Sequence, residues 1–209
     1  MIVIYYGKPR SGKTTALARI VKKNRIKTVV CDKLPFLRRF LKPYTEIYCT
    51  DPSMKYTTLI SYDNLGKWKP KEGSCFILCE AGIGLNNRAW KSLSDDAKEL
   101  FAMHGHAKCD MYADSQTVDI DITFRERAEK FFSVRKIGNS QFSLLIPIKF
   151  DIDVNDITQK IEECYKRARG LKLLLLILFG QVKIIYRKFY YGYFDSWRWD
   201  KSFIFSDPC

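Results

Sequence analysis

Short apolar runs alternate with amphipathic segments along the first two thirds of the chain. Residues 2–6, 74–79 and 109–113 are almost continuously apolar, which is typical of strands covered on both faces of a sheet. Residues 14–21 follow the first run directly and have the composition of a helix leaving it. Strands that alternate with helices predict an α/β domain with a mainly parallel sheet flanked by helices.

Weaker patterns between these runs predict further elements. Ser94 suits the N-cap of a helix with an acidic first turn. One face of that helix carries Ala97, Leu100, Phe101 and His104. The other predicted elements are strands at 27–31 and 56–60, a helix at 34–41 that Pro43 ends, a turn or short helix at 63–66, and a helix at 122–128.

The pattern changes beyond residue 130. Residues 131–137 and 141–150 read as strands on either side of Gly138-Asn139, a dipeptide suited to a tight hairpin. The segment from there to the C-terminus is more typical of antiparallel structure. We therefore expect a core over residues 1–137 and a β-rich, basic and aromatic extension of the same domain over residues 138–209.

The net charge of +13 is concentrated at the two ends of the chain. Residues 1–50 carry twelve Lys and Arg against two acids, and residues 165–201 carry nine against two. Residues 51–164 are close to balance, with fifteen basic and eighteen acidic side chains. Basic faces of this kind favour phosphate polymers or anionic lipid headgroups as partners.

The C-terminal basic stretch is interleaved with aromatic residues, which leaves two interpretations open. Bases could stack on the rings while Lys and Arg follow the phosphates of a single-stranded nucleic acid. Alternatively, a strand pair packs its rings into a core and turns its charges to water. The rings are Tyr186, Phe189, Tyr190, Tyr191, Tyr193, Phe194, Trp197 and Trp199.

The cysteines and the lengths of the apolar runs indicate the redox compartment of the chain and its relation to membranes. Seven cysteines without C-x-x-C pairs favour reduced thiols in a reducing compartment. The N-terminal apolar run is too short for a signal peptide, and residues 171–179 are too few to span a bilayer, so they form a buried element or a shallow membrane contact. His104, His106 and Cys109 lie close together, but no fourth ligand is evident, which favours coincidence over a metal site.

A complete G-x-x-x-x-G-K-[ST] motif links the first predicted strand to the first predicted helix. Its glycines let consecutive N–H groups point at one anion, and the helix N-terminus adds positive charge there. Lys13 would reach the β- and γ-phosphates of ATP, and the Thr14 hydroxyl would bind Mg²⁺. The predicted nucleotide-binding residues are Gly7, Lys8, Pro9, Arg10, Ser11, Gly12, Lys13, Thr14 and Thr15.

Two polar residues follow apolar strands at the edge of the sheet where ligands bind in open α/β folds. Glu80 comes directly after the 74–79 run and is suited to activate water, although it could be an exposed loop acid. Gln116 follows the 109–113 run and could hydrogen-bond the γ-phosphate or the attacking water, or it could be a turn residue.

These residues belong to an ordered set of motifs that resembles the zonular occludens toxin (Zot) family. That family comprises the assembly and export ATPases of filamentous phages, within the FtsK/HerA-like P-loop ATPases. The resemblance covers nearly the whole chain, with gaps at 32–70 and 150–180. The motifs are Phe76-Ile77-Leu78-Cys79-Glu80-Ala81-Gly82, Asn87-Arg88-x-Trp90, His106-x-x-x-Asp110, Ser115-Gln116, Asp119-Ile120-Asp121 with Arg125, and Tyr186-Arg187-Lys188-x-Tyr190-Tyr191-x-x-Phe194-Asp195-Ser196.

The resemblance implies a membrane-associated, homo-oligomeric ATPase that exports single-stranded phage DNA as coat proteins assemble. It places the protein in the cytoplasm of a bacterial host, at the inner membrane. Lys13 would be catalytic as well as phosphate-binding, with Glu80 as catalytic carboxylate and Gln116 as sensor. Arg88 and Arg125 are candidates for an arginine inserted into a neighbouring subunit's site, and either could instead form a structural ion pair.

The sequence departs from the family pattern at two positions. The family usually has Asp-Glu after the apolar strand, but Cys79 precedes Glu80 here. The family's Arg-His pair is Gly105-His106, which removes one cation. Because a thiol substitutes poorly for a carboxylate around Mg²⁺, two alternatives to the motor stay open: a non-hydrolytic, nucleotide-gated scaffold that binds DNA or membrane, and a small P-loop kinase.

Overall fold

A single eight-stranded sheet organises the molecule. The structure is a computed structural model that describes residues 1–117, 120–148, 175, 177–180 and 182–195. The strand order is β3-β2-β4-β5-β1-β6-β7-β8, and every pair from β3 to β6 is parallel. The strands are β1 (Ile2–Tyr6), β2 (Ile47–Cys49), β3 (Thr58–Leu59), β4 (Cys75–Leu78), β5 (Asp110–Ser115), β6 (Lys130–Lys136), β7 (Phe142–Ile148) and β8 (Lys183–Tyr186).

Six α-helices whose two ends both lie in the described residues connect or flank these strands. They are α1 (Lys13–Lys33), α2 (Arg38–Leu41), α3 (Ala81–Gly84), α4 (Asn87–Ser92), α5 (Asp95–Met103) and α6 (Ile122–Glu126). Short 3₁₀ helices cover Pro35–Leu37, Tyr62–Asn64 and Arg187–Tyr193. The predicted α/β class with a mainly parallel sheet is therefore confirmed.

The sheet is covered on both faces, as the continuous apolar runs predict. Along β1, Ile2 and Ile4 face a core that includes Phe101 of α5 and Phe124 of α6. The intervening Val3 faces a second core beneath α1. Side chains alternate between the two faces of a strand, so both cores depend on every central strand.

One prediction for the first half of the chain is wrong, and one strand of the sheet was not predicted. Residues 27–31 are not a strand but the last part of α1, which is 21 residues long. Their β-branched side chains fit the helix because the Thr28 hydroxyl donates to the Asn24 carbonyl 3.0 Å away, one turn earlier, while Val29 stays exposed. The strand beside β4 is instead β2, a buried three-residue segment too short for its pattern to be recognised.

Apart from the first helix, which was predicted over 14–21 and continues to Lys33, the other predicted elements occur within one to three residues of their expected bounds where the structure describes those bounds. Ser94 caps α5 by accepting a hydrogen bond from the Ala97 N–H. The Gly138-Asn139 hairpin joins β6 to β7 in antiparallel register. β8 then pairs antiparallel with β7 and extends the same sheet. The run 171–179 lies largely outside the described residues.

Candidate functional site

The phosphate-loop motif forms a tight loop between β1 and α1. The Gly7 N–H donates to the Ser115 carbonyl over 3.2 Å, which ties the start of the loop to the end of β5. Gly12 has φ of +103°, a left-handed conformation that favours glycine. A Cβ at Gly12 would also collide with the Ser143 hydroxyl. The second glycine of the motif is therefore required both by backbone conformation and by space.

Lys13 points into the hollow of this loop. Its side chain donates from Nζ to the Gly7 carbonyl at 2.8 Å and to the Lys8 carbonyl at 3.3 Å. Burial lowers the pKa of Lys13, and the nearby carboxylates of Asp114 and Glu80 oppose that shift. The ammonium is thus held where phosphate oxygens could take the place of the two carbonyls. Thr14 and Thr15 follow in the first turn of α1.

The far side of the loop is held by residues that sequence reasoning did not assign to the site. The Ser143 hydroxyl of β7 donates to the Ser11 carbonyl at 2.6 Å. Arg187, buried beside β8, donates to the Arg10 carbonyl at 3.4 Å and to the Ser140 carbonyl at 2.7 Å. The contacts with the Ser11 and Arg10 carbonyls join segments more than 130 residues apart, so no local pattern marks them.

A cleft of about 680 Å³ opens between the loop and the C-terminal 3₁₀ helix. Its lining is strongly basic and includes Arg10, Lys13, Lys136 and Arg187. Tyr191, on the 3₁₀ helix, adds an aromatic ring to this lining. A basic cleft with an aromatic wall has the chemistry needed to receive the phosphates and the base of a nucleotide.

Glu80 and Gln116 meet at the edge of the sheet, as their positions after β4 and β5 predict. Gln116 donates from Nε2 to Glu80 Oε1 over 3.4 Å, and both side chains are exposed. Glu80 has φ of +53°, and its N–H donates to Asp114 Oδ1 at 2.8 Å. Because that backbone hydrogen bond fixes residue 80 in place, the carboxylate stands at the open edge rather than within a mobile loop.

Asp114 is the functional candidate that sequence reasoning missed. It lies in β5, only 3% exposed, and burial raises the pKa of its carboxyl to about 6, against the opposing effects of the Glu80 N–H and Lys13. Its one sequence signal is an acid that directly follows the apolar centre Met111-Tyr112-Ala113 of β5. A buried charge is costly without nearby partners, and the partner of Asp114 lies at the end of β4. The acid can therefore be recognised as functional only when the strand beside β5 is known.

Cys79 stands beside this carboxylate and contributes no charge. Its Sγ lies 3.9 Å from the Sγ of Cys49, and its N–H donates to the Thr50 hydroxyl at 2.8 Å. Contact with the Cys49 thiol and burial raise the pKa of Cys79 well above its ordinary range. The thiol is therefore neutral at physiological pH. Cys31, Cys49, Cys75, Cys79 and Cys109 are free, which agrees with the prediction of reduced thiols for these five.

The two arginine candidates differ in exposure. Arg88 is exposed on α4, and Arg125 is half-buried on α6. Burial raises the pKa of Tyr6 at the end of β1, and the charge of Arg125 opposes that shift, so Arg125 is close to β1 within the same chain. Its Nε is buried and has no hydrogen-bond partner within the described part of the chain.

The aromatic C-terminal stretch combines elements of both sequence interpretations. Tyr190, Tyr193 and Phe194 pack against the core beneath α1. Phe189 and Tyr191 are exposed, by 64% and 45%. The expected strand pair is wrong for residues 187–193, which form a 3₁₀ helix because β8 ends at Tyr186. Trp197 and Trp199 lie outside the described residues.

A mainly parallel sheet with the phosphate loop at the end of β1 is the fold of the P-loop NTPases. No protein-family model matches the chain. No curated protein matches it either. The structure is similar to the crystal structure of the N-terminal domain of zonular occludens toxin from Neisseria meningitidis, with a TM-score of 0.57 and 14% identity over 93% of this chain and 98% of that one. This likeness agrees with the resemblance seen in the sequence motifs.

Two further solved structures have lower similarity. One is the genome packaging NTPase B204 from Sulfolobus turreted icosahedral virus 2 in complex with ATP-gammaS, with a TM-score of 0.43 and 12% identity over 70% of this chain and 91% of that one. The other is flagellar accessory protein FlaH from Methanocaldococcus jannaschii, with a TM-score of 0.38 and 13% identity over 72% and 79%. The function is therefore inferred from the residues of the site.

Proposed function

We propose that this protein is an ATP-hydrolysing motor that drives filamentous-phage assembly and the export of single-stranded phage DNA. The observation that carries the proposal is the meeting of the phosphate loop, Lys13, Glu80 and Gln116 at one edge of the sheet. A loop alone would bind a nucleotide. A carboxylate and an amide beside it supply what hydrolysis needs in addition.

The chain's own residues suggest how the reaction proceeds. Loop N–H groups and Lys13 hold the phosphates and neutralise charge that develops on the γ-phosphate. Glu80 accepts a proton from the attacking water, and Gln116, already hydrogen-bonded to Glu80, orients that water. The Lys13 ammonium donates to the Gly7 carbonyl and also interacts with the charge of Glu80, so a small change of its side chain can bring it to the phosphates.

The residues at this edge also fit a Mg²⁺ ion. Hard cations prefer oxygen ligands, and the Thr14 hydroxyl in the first turn of α1 and the Glu80 carboxylate, which acts on the charge of Lys13, provide them. When bound, Mg²⁺ would neutralise charge on the β- and γ-phosphates. Thr14 is the residue that we propose as its direct protein ligand.

In a homo-oligomer, a neighbouring subunit would add an arginine to the nucleotide site. Arg88 is exposed on α4 and is free to reach a neighbouring subunit. Arg125 points less freely outward, since it lies close to Tyr6 of its own chain. We therefore favour Arg88 as the arginine that acts in a neighbour's site, with Arg125 as the second candidate.

The proposed DNA partner is supported by exposed rings next to basic side chains. Lys22 of α1 lies over the rings of Phe189 and Tyr190, at 5.4 and 5.1 Å from their centroids. Phe189 is largely exposed and Lys188 beside it is exposed as well. Exposed rings and ammonium groups together can bind the bases and phosphates of a single strand.

Phosphate release from ATP tests the motor function directly. We expect release by the purified protein to rise severalfold when single-stranded DNA and anionic vesicles are added. Tight nucleotide binding without release under every condition would favour the nucleotide-gated scaffold, which Cys79 supports. Transfer of the γ-phosphate to a small acceptor would favour a kinase.

A contact with the host membrane is supported by an exposed segment at residues 33–42. Phe36 and Phe40 are 68% and 77% exposed, and Leu34 is 46% exposed. The same ten residues contain Lys33, Arg38, Arg39 and Lys42 but no acid. Exposed phenylalanines among cations suit the interface of an anionic bilayer. None of the helices in the described ranges combines the length and apolar character that crossing a bilayer requires.

Replacing both exposed phenylalanines should weaken this contact. We expect the Phe36→Ser/Phe40→Ser variant to bind anionic vesicles at least about tenfold less tightly, because each ring would lose on the order of 1.5 kcal/mol of apolar burial. Co-sedimentation with phosphatidylglycerol vesicles measures the change. Phe189→Ser, an equally exposed ring elsewhere, is the control. Equal binding by both variants would assign the contact to another surface.

A further inference from the structure

One buried charge at the site has no part in the reaction outlined above. Asp114 is 3% exposed, yet it carries a carboxylate at the edge of the sheet that holds the phosphate loop. Burying an unused charge is costly, by several kcal/mol in an apolar surrounding. The position of Asp114 in the sheet indicates what that charge does.

Sheet register places Asp114 beside residue 79 on the next strand. Ala113 of β5 pairs with Leu78 of β4, so the following residues, Asp114 and Cys79, are neighbours. The Glu80 N–H, one residue further, donates to Asp114 Oδ1. Asp114 is therefore attached to the end of β4 although it belongs to β5.

Side-chain alternation turns Asp114 towards the face that carries the phosphate loop. Tyr112 and Ile77, two residues before Asp114 and Cys79, lie in the core beneath α1. Residues two apart on a strand share a face, so Asp114 and Cys79 also face α1. The N-terminal residue of α1 is Lys13, and among the charges that oppose the lowering of its pKa, Asp114 has a larger effect than Glu80.

Cys79 cannot supply an anion on this face, because its thiol is neutral. Glu80 is exposed and turned towards Gln116. Asp114 is thus the buried carboxylate next to the loop lysine. An oxygen anion in that position complements a hydrated Mg²⁺ ion on the nucleotide phosphates.

We propose that Asp114 is a positioning residue that holds the water shell of nucleotide-bound Mg²⁺ from β5, beside the uncharged Cys79. The proposal rests on the nucleotide-binding site of the proposed function. Asp114 acts through the water molecules around the ion and does not transfer a proton to the substrate. Outer-shell partners of a metal ion commonly change metal affinity by about 10- to 100-fold.

The test compares nucleotide affinity with and without Mg²⁺, using a fluorescent, non-hydrolysable ATP analogue at pH 8. We expect Asp114→Asn to weaken binding in Mg²⁺ about tenfold or more. In EDTA the same variant should bind as well as wild type or better, because a negative charge near the phosphates is gone. A purely structural role would weaken binding equally in both conditions, which would overturn the proposal.

Two further variants sharpen the result. Asp110→Asn removes a carboxylate at the opposite end of β5 and should leave the Mg²⁺ dependence unchanged. Asp114→Glu keeps the charge and should retain most of the Mg²⁺ dependence. Loss in Asp114→Glu as large as in Asp114→Asn would mean that packing matters rather than the carboxylate. If the nucleotide affinity of the wild type were the same with and without Mg²⁺, the proposed cofactor itself would be wrong. If the affinity of Asp114→Asn in Mg²⁺ equalled that of the wild type, only this inference would be wrong.

Discussion

Replacing Glu80 by glutamine is expected to lower phosphate release from ATP at least about 100-fold, since a general base contributes on the order of 10² to 10⁴ in rate. The substitution removes a proton acceptor but keeps the shape of the side chain. The backbone hydrogen bond from residue 80 to Asp114 does not depend on the side chain and should remain. ATP affinity should therefore stay within about threefold of wild type.

Single-turnover phosphate release and equilibrium nucleotide binding together measure this prediction. Glu99→Gln is the matched control, because Glu99 is an exposed acid on α5. It should release phosphate at the wild-type rate. If Glu80→Gln also hydrolyses ATP normally, the base lies elsewhere, and Asp114 becomes the next residue to examine.

Lys13→Ala is expected to weaken ATP binding at least about 100-fold. Hydrogen bonds to charged partners contribute about 1.5–3 kcal/mol each, and two lost bonds exceed the roughly 2.7 kcal/mol that corresponds to 100-fold. The ammonium is buried in the loop, so solvent screens it little. Isothermal titration with the ATP analogue measures the loss.

Lys8→Ala tests whether the effect belongs to this position or to loop charge in general. Lys8 is an exposed lysine of the same loop, and its carbonyl, which the substitution keeps, accepts from Lys13. We expect less than about a fivefold change. Thermal unfolding should show both variants folded. Similar losses in both would mean that the loop attracts phosphate by total charge alone.

Local patterns predicted the central sheet well because its strands are buried on both faces. The β1 and β4 strands contain only apolar and aromatic residues or cysteine, β5 has the apolar centre Met111-Tyr112-Ala113, and each is followed by a change of pattern. The phosphate loop was equally predictable, since its glycines and lysine have fixed spacing. Glu80 and Gln116 came together because parallel strands end at a common edge.

Patterns failed where tertiary contacts override local preference. The β-branched residues at 28–30 suggested a strand, but α1 continues through them, and three-residue β2 occupies the sheet position instead. Asp114 could not be recognised without knowing which strand lies next to β5. Arg187 and Ser143 reach the loop only because β7 and β8 close the antiparallel side of the sheet.

The hydrogen bonds from Ser143 and Arg187 to the phosphate loop couple the loop to the C-terminal segment. These residues hold the carbonyls of Ser11 and Arg10, so the loop is attached on its outer side to β7 and to the start of the C-terminal 3₁₀ helix. A shift of the loop on nucleotide entry would pull on that attachment. The exposed ring of Phe189, two residues after Arg187, lies at the far end of the same linkage. Nucleotide binding at the loop would therefore change the orientation of the Phe189 ring.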